Sequence, residues 1–166
     1  NPALPLLQLP NTYRAFYGNF SHLHPIQRQT IEPLLEGRDL VLQSATGSGK
    51  SEAVLAPCTE RLIQSGREEA LLYVVPTRAL AIDLERCFEP IFKERLGLGV
   101  RTGDLKRAGG GRPDLLLTTP ESLDVTLGSS NPELRAFVQR VRTVIIDEVH
   151  PLVYSYRGQQ LAYLLK

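Results

Sequence analysis

Asp39-Leu40-Val41-Leu42-Gln43-Ser44-Ala45-Thr46-Gly47-Ser48-Gly49-Lys50-Ser51 joins a short apolar run to a small-residue turn and then to a helical pattern. The apolar run bounded by Asp39 reads as a buried strand. A strand, a glycine-rich loop and a helix opened by Gly-Lys-Ser are the context of a phosphate-binding P-loop. Successive backbone N–H groups in such a loop point inward and form an anion-binding nest. The helix behind adds the positive end of its dipole. In this reading Thr46, Gly47, Ser48, Gly49, Lys50 and Ser51 bind the nucleotide. Lys50 reaches the β- and γ-phosphates, and the Ser51 hydroxyl ligates Mg²⁺. The usual pattern begins with Gly where this chain has Ser44, which is almost as small.

The second half of the chemistry lies near the other end. Thr143-Val144-Ile145-Ile146-Asp147-Glu148 is an apolar strand ending in two carboxylates. A parallel sheet delivers such a pair to its carboxyl edge, where ligands of open α/β sheets bind. Asp147 is suited to hold Mg²⁺ through water, and Glu148 to orient or deprotonate an attacking water. A cradle, a metal and a positioned nucleophile are what phosphoryl transfer needs. Lys50, Asp147 and Glu148 are therefore the candidate catalytic residues, with Mg-ATP as the expected ligand.

The elements between these stretches point to one architecture. Ala70–Val75, Leu98–Arg101, Asp114–Thr118 and Thr143–Ile146 read as strands. Ile26–Leu35, Lys50–Gln64, Thr77–Phe92, Glu121–Leu127 and Pro132–Val138 read as helices, with a kink expected at Pro57. The polar stretch 104–112, with its triple glycine, reads as a loop. Strands apolar throughout and alternating with helices predict an α/β fold, a parallel sheet with helices on both faces. Residues 1–20, rich in proline and aromatics, read as an arm with a short helix, and 21–166 as the domain proper.

The 166 residues suit about one domain. A hydrophobic fraction of 42% and a formal net charge of +1 are ordinary for a soluble protein and do not decide whether it binds nucleic acid. Cys58 and Cys87 lack metal-ligand spacing and are expected to be buried free thiols, as in a reducing, cytoplasmic setting. No apolar run approaches the roughly 20 residues of a membrane helix, so no membrane partner is expected. His22, His24 and His150 have neither the spacing nor the company of metal ligands. Because the chain starts at Asn1 and stops within the amphipathic run 159–166, a longer parent protein is expected.

The ordered blocks ATGSGKS (45–51), PTRAL (76–80), TGD (102–104), TTPESL (118–123) and DEVH (147–150) resemble the first RecA-like domain of superfamily 2 helicases of the DExH type. The resemblance spans about Phe20 to Lys166. TTPESL, DEVH and the following Arg157-Gly158 are most similar to the long-helicase-related and Ski2-like groups. The resemblance implies that Gln27 reads the adenine edge, as an amide can. It implies that Pro76, Thr77, Arg78, Gly103, Asp104, Thr119, Pro120 and Glu121 track one strand of nucleic acid, and that His150 couples the nucleotide site to the second lobe and to nucleic acid. Contacts of that kind go to phosphate and sugar and carry no sequence information. DNA is slightly favoured over RNA.

A second RecA-like lobe, with the arginine finger that accelerates hydrolysis by about 10³–10⁵, is the expected partner. Alone, the chain is expected to bind nucleotide and turn it over very slowly. Two other readings compete: a double-strand translocase that does not unwind, and a nucleotide-dependent binding or scaffold module. The intact Lys50, Ser51, Asp147 and Glu148 argue against the second.

Overall fold

The computed structural model describes residues 3–45, 47–92, 96–103, 105–108 and 112–165. The readings on Thr46, Asp104 and the triple glycine lie outside them. The chain divides into two compact units, 1–67 and 68–166.

The first unit is built from helices α1 (Ala3–Gln8), α2 (Tyr13–Tyr17), α3 (Pro25–Leu35) and α4 (Lys50–Gln64). Pro57 inside α4 has no N–H to give the Ala53 carbonyl, four residues back. Thr30 of α3 supplies the missing donor, its hydroxyl bonding Ala53 O at 3.0 Å. The fully buried Glu60 holds the preceding arm. It accepts from Asn11 N, Thr12 N and the Thr12 hydroxyl at 3.0 Å each and from Asn11 Nδ2 at 2.6 Å. The Tyr17 hydroxyl donates to Glu52 O at 3.0 Å, and burial is the main force raising its pKa well above the usual phenol range. The aromatic arm is therefore fastened along α4.

The strand expected over 39–43 is absent: residues 39–45 carry no ladder, and Val41 is 98% exposed. An apolar run becomes a strand only when a neighbour satisfies its backbone groups. Every regular element described within 1–67 is a helix, so that unit offers no neighbour.

The second unit carries a sheet of β1 (Ala70–Val74), β2 (Leu98–Thr102), β3 (Leu105–Ala108), β4 (Leu115–Thr118) and β5 (Val141–Ile146), in the order β3-β2-β4-β1-β5. All pairs are parallel except β2–β3. The expected loop at 104–112 is thus corrected, since 105–108 turn back as an antiparallel edge strand. Its Lys106 and Arg107 read as loop because an edge strand tolerates charge. Helices α5 (Arg78–Phe92), α6 (Pro120–Leu127), α7 (Pro132–Arg140), α8 (Val149–Val153) and α9 (Tyr156–Leu164) complete the unit.

Both faces of the central strands are buried, as expected of a parallel sheet. Ala70, Leu72, Val74 and Leu116 pack with Leu123, Phe137, Leu152 and Leu161 of α6 to α9. Leu71, Tyr73, Leu115 and Leu117 alternate with them and are equally buried. On α5 the inward stripe is Ala81, Leu84, Phe88 and Phe92. Cys87 falls outside that stripe and is exposed, which corrects its expected burial. Cys58 is buried, and burial pushes its thiol up to about 12. No helix among the described residues is long and apolar enough to cross a membrane.

Candidate functional site

In the first unit the glycine loop opens α4. Gly47 and Gly49 have φ of +77° and +76°, the left-handed region that glycine enters without penalty. A Cβ at Gly49 would also meet Nε2 of Gln27, so that amide would have to shift to admit it. Lys50 Nζ donates to the Ser44 and Ala45 carbonyls at 3.0 Å each. The lysine thus lies back over its own loop, on acceptors that a phosphate would replace. Ser51 occupies the first turn of α4.

Gln27 is completely buried. Its Oε1 accepts from His24 N at 2.9 Å, which caps α3. Its Nε2, against Gly49, has no hydrogen-bond partner among the described residues, and neither does the buried Ser48 hydroxyl. Buried donors without partners are rare in folded proteins. Here two of them lie at a loop whose lysine donates to loop carbonyls. A nucleoside triphosphate, rich in acceptors, fits that donor set.

In the second unit the sequence blocks converge. Val74 is level with Thr118 and with Ile146, and Thr118 with Arg101. The four parallel strands therefore end at one height, and their following residues share one edge. In strand order these are Gly103 after β2, Thr119-Pro120-Glu121 after β4, Pro76-Thr77-Arg78 after β1, and Asp147-Glu148 after β5. Two further bonds extend the ladder by a residue, Val75 N to Thr118 O and Asp147 N to Val74 O, both 2.9 Å.

Asp147 is held by two donors, the Tyr73 hydroxyl on Oδ2 and Glu148 N on Oδ1, each at 2.9 Å. Sequence reading misses Tyr73, which sits within an apolar strand and looks like core. Glu148 has a φ of +49°, a costly conformation for a residue with a Cβ and one that clusters at active sites. Its Oε2 lies 3.1 Å from Nδ1 of the exposed His150.

The residues expected to meet nucleic acid divide by exposure. Thr77, Arg78, Gly103 and Glu121 are exposed, Pro76 is half-buried, and Thr119 and Pro120 are buried. Thr77 caps the start of α5, its hydroxyl accepting from Leu80 N at 3.3 Å. Thr119 donates to the Ser122 hydroxyl at 3.2 Å, and Ser122 accepts from Gly103 N at 2.8 Å. The TGD and TTPESL blocks are thereby tied together, with Thr119 and Pro120 shaping the start of α6.

A parallel sheet with these blocks along its carboxyl edge, together with a Gly-Lys-Ser loop opening a helix, defines a RecA-like helicase domain. The chain belongs to the DEAD/DEAH box helicase family, whose model it matches over residues 24–166. It is 33% identical to the ATP-dependent helicase Lhr-Core of Sulfolobus acidocaldarius, over 95% of this chain and 20% of that protein. It is 38% identical to the Lhr helicase/probable uracil glycosylase of Mycolicibacterium smegmatis, over the whole of this chain and 12% of that protein. The chain thus spans a fifth or less of the length of these two relatives. In fold it is similar to the helicase MrfA solved bound to DNA and AMPPNP, with a TM-score of 0.67 at 18% identity over 87% of this chain and 21% of that one.

Proposed function

We propose that this chain is the first, ATP-binding lobe of an ATP-dependent helicase or translocase that moves along single-stranded nucleic acid. The observation that carries the reading is the common height at which four parallel strands deliver Gly103, Glu121, Arg78 and Asp147 to one sheet edge. ATP bound here supplies a transferable γ-phosphoryl group. Lys50 binds its phosphates, Ser51 and Asp147 hold Mg²⁺, and Gln27 donates its unpartnered amide N–H to the adenine. Glu148 orients the attacking water and takes its proton. Thr77, Arg78 and the turns at Gly103 and Glu121 bind backbone phosphates, and His150 relays the state of Glu148 to a second lobe. Residues 21–166 act as the motor lobe with 1–20 as its arm.

The decisive experiment is ATP turnover by the full-length protein with single-stranded DNA, single-stranded RNA or neither. Stimulation by one polymer is expected and names the substrate, DNA being slightly favoured. Tight ATP binding without stimulation by either would replace the motor with a nucleotide-dependent scaffold. Glu148→Gln is expected to keep ATP binding and lower turnover by at least about 10², whereas Lys50→Ala loses binding itself. Normal turnover in Glu148→Gln would remove Glu148 from the mechanism.

A further inference from the structure

Arg157, on the first turn of α9, touches two of the edge blocks at once. Its Nε donates to Glu121 Oε1 at 2.5 Å, and its Nη1 donates to the Pro76 carbonyl at 3.3 Å. Two features aim α9 for this. A Cβ at Gly158 would run into the Leu152 carbonyl, so glycine there lets α9 lie directly against α8. One turn on, Gln160 Nε2 donates to Asp124 Oδ2 at 2.9 Å, giving α9 a second hold on α6. Pro76, Glu121, Arg157 and the exposed Tyr156 border a cleft of about 460 Å³ at this edge.

Glu121 poses an electrostatic problem that Arg157 answers. It is a carboxylate on the first turn of α6, about 47% exposed, on the track assigned to a polyanion. Unpaired, it would repel a phosphate passing within a few ångströms. We infer that Arg157 is a positioning residue for the nucleic-acid strand: it neutralises Glu121 and ties the Pro76 turn to α6, so that both turns face one strand. The inference rests on the motor reading above and assigns Arg157 no contact with the strand itself. The guanidinium serves two acceptors through separate N–H groups. A lysine, as a single point charge, would keep the neutralisation and lose the tie.

The test is single-strand binding by the full-length protein, read by fluorescence anisotropy of labelled oligo-dT and oligo-U at low salt, with polymer-stimulated ATP turnover alongside. An exposed ion pair of this kind is worth up to about 1 kcal/mol, so Arg157→Gln is expected to weaken strand binding by up to about fivefold. The polymer KM should rise by the same factor, with kcat at saturating polymer and the KM for ATP unchanged. Arg157→Lys should fall between wild type and Arg157→Gln. Arg157→Gln combined with Glu121→Gln should bind more tightly than Arg157→Gln alone, because the unpaired carboxylate is gone. A double variant no tighter than Arg157→Gln, or Arg157→Gln binding like wild type, would overturn the inference. Wild-type protein that binds neither oligonucleotide would instead overturn the motor reading.

Discussion

Tyr73 and Asp147 are 74 residues apart in sequence and meet at 2.9 Å. The tyrosine is 2% exposed and cannot swing away, so it helps fix the orientation of the carboxylate proposed to hold Mg²⁺. Tyr73→Phe removes that constraint while keeping the packing of the ring. Groups that orient a metal ligand contribute about tenfold or more to metal affinity. The Mg²⁺ concentration for half-maximal ATP turnover should therefore rise about tenfold in Tyr73→Phe, with stability lower by about 1 kcal/mol. An unchanged Mg²⁺ titration would show that Asp147 is oriented without Tyr73. The limit of sequence reading is plain at this scale. Lys50, Ser51, Asp147 and Glu148 can be proposed from the sequence because their chemistry is local and their spacing is short. The contacts of Tyr73 and Arg157 stay hidden because their partners become neighbours only when the sheet closes.

Helices follow from local pattern more readily than strands do. Lys50–Gln64 is legible from its apolar spacing and from Ser65-Gly66 at its end. The 39–43 run is not, since a strand depends on a ladder partner that the run does not encode. β3 fails in the opposite sense: 105–108 look like loop by composition, and their strand character comes from pairing with β2. The hold on the arm was equally illegible, because Glu60 lies among α4 residues and looks like a solvated charge. Its carboxylate is instead buried and accepts from Asn11, Thr12 and Gln64. Glu60→Ala would strand the Asn11 and Thr12 donors, and a loss of about 3 kcal/mol in urea unfolding is expected. Added protease should then cleave first within the arm. Wild-type stability in that variant would mean that water replaces the carboxylate at little cost.

Across the sheet of residues 68–166, the two ends of the strands are built differently. At the carboxyl end lie Gly103, the first turns of α6 and α5 with Glu121 and Arg78, and Asp147. At the other end Arg140 closes a part-buried set of bonds around the fully buried Asp114, to Asp114 Oδ1 at 3.0 Å, Glu69 O at 2.8 Å and Pro113 O at 3.1 Å. Gly97 N adds a bond to Asp114 Oδ2 at 2.8 Å. Removing one partner of a buried ion pair leaves an uncompensated charge, so Arg140→Leu should lower stability by about 3 kcal/mol. Nucleotide affinity of the molecules that stay folded should not change, and a drop measured by calorimetry would contradict that division. One further result follows from the level strand ends. In a saturation-mutagenesis screen that scores abundance and turnover separately, substitutions around Asp114 and Arg140 should cost abundance. Those at Arg78 and Glu148 should spare abundance and cost turnover, so the height of a residue along its strand would forecast which kind of defect a variant carries.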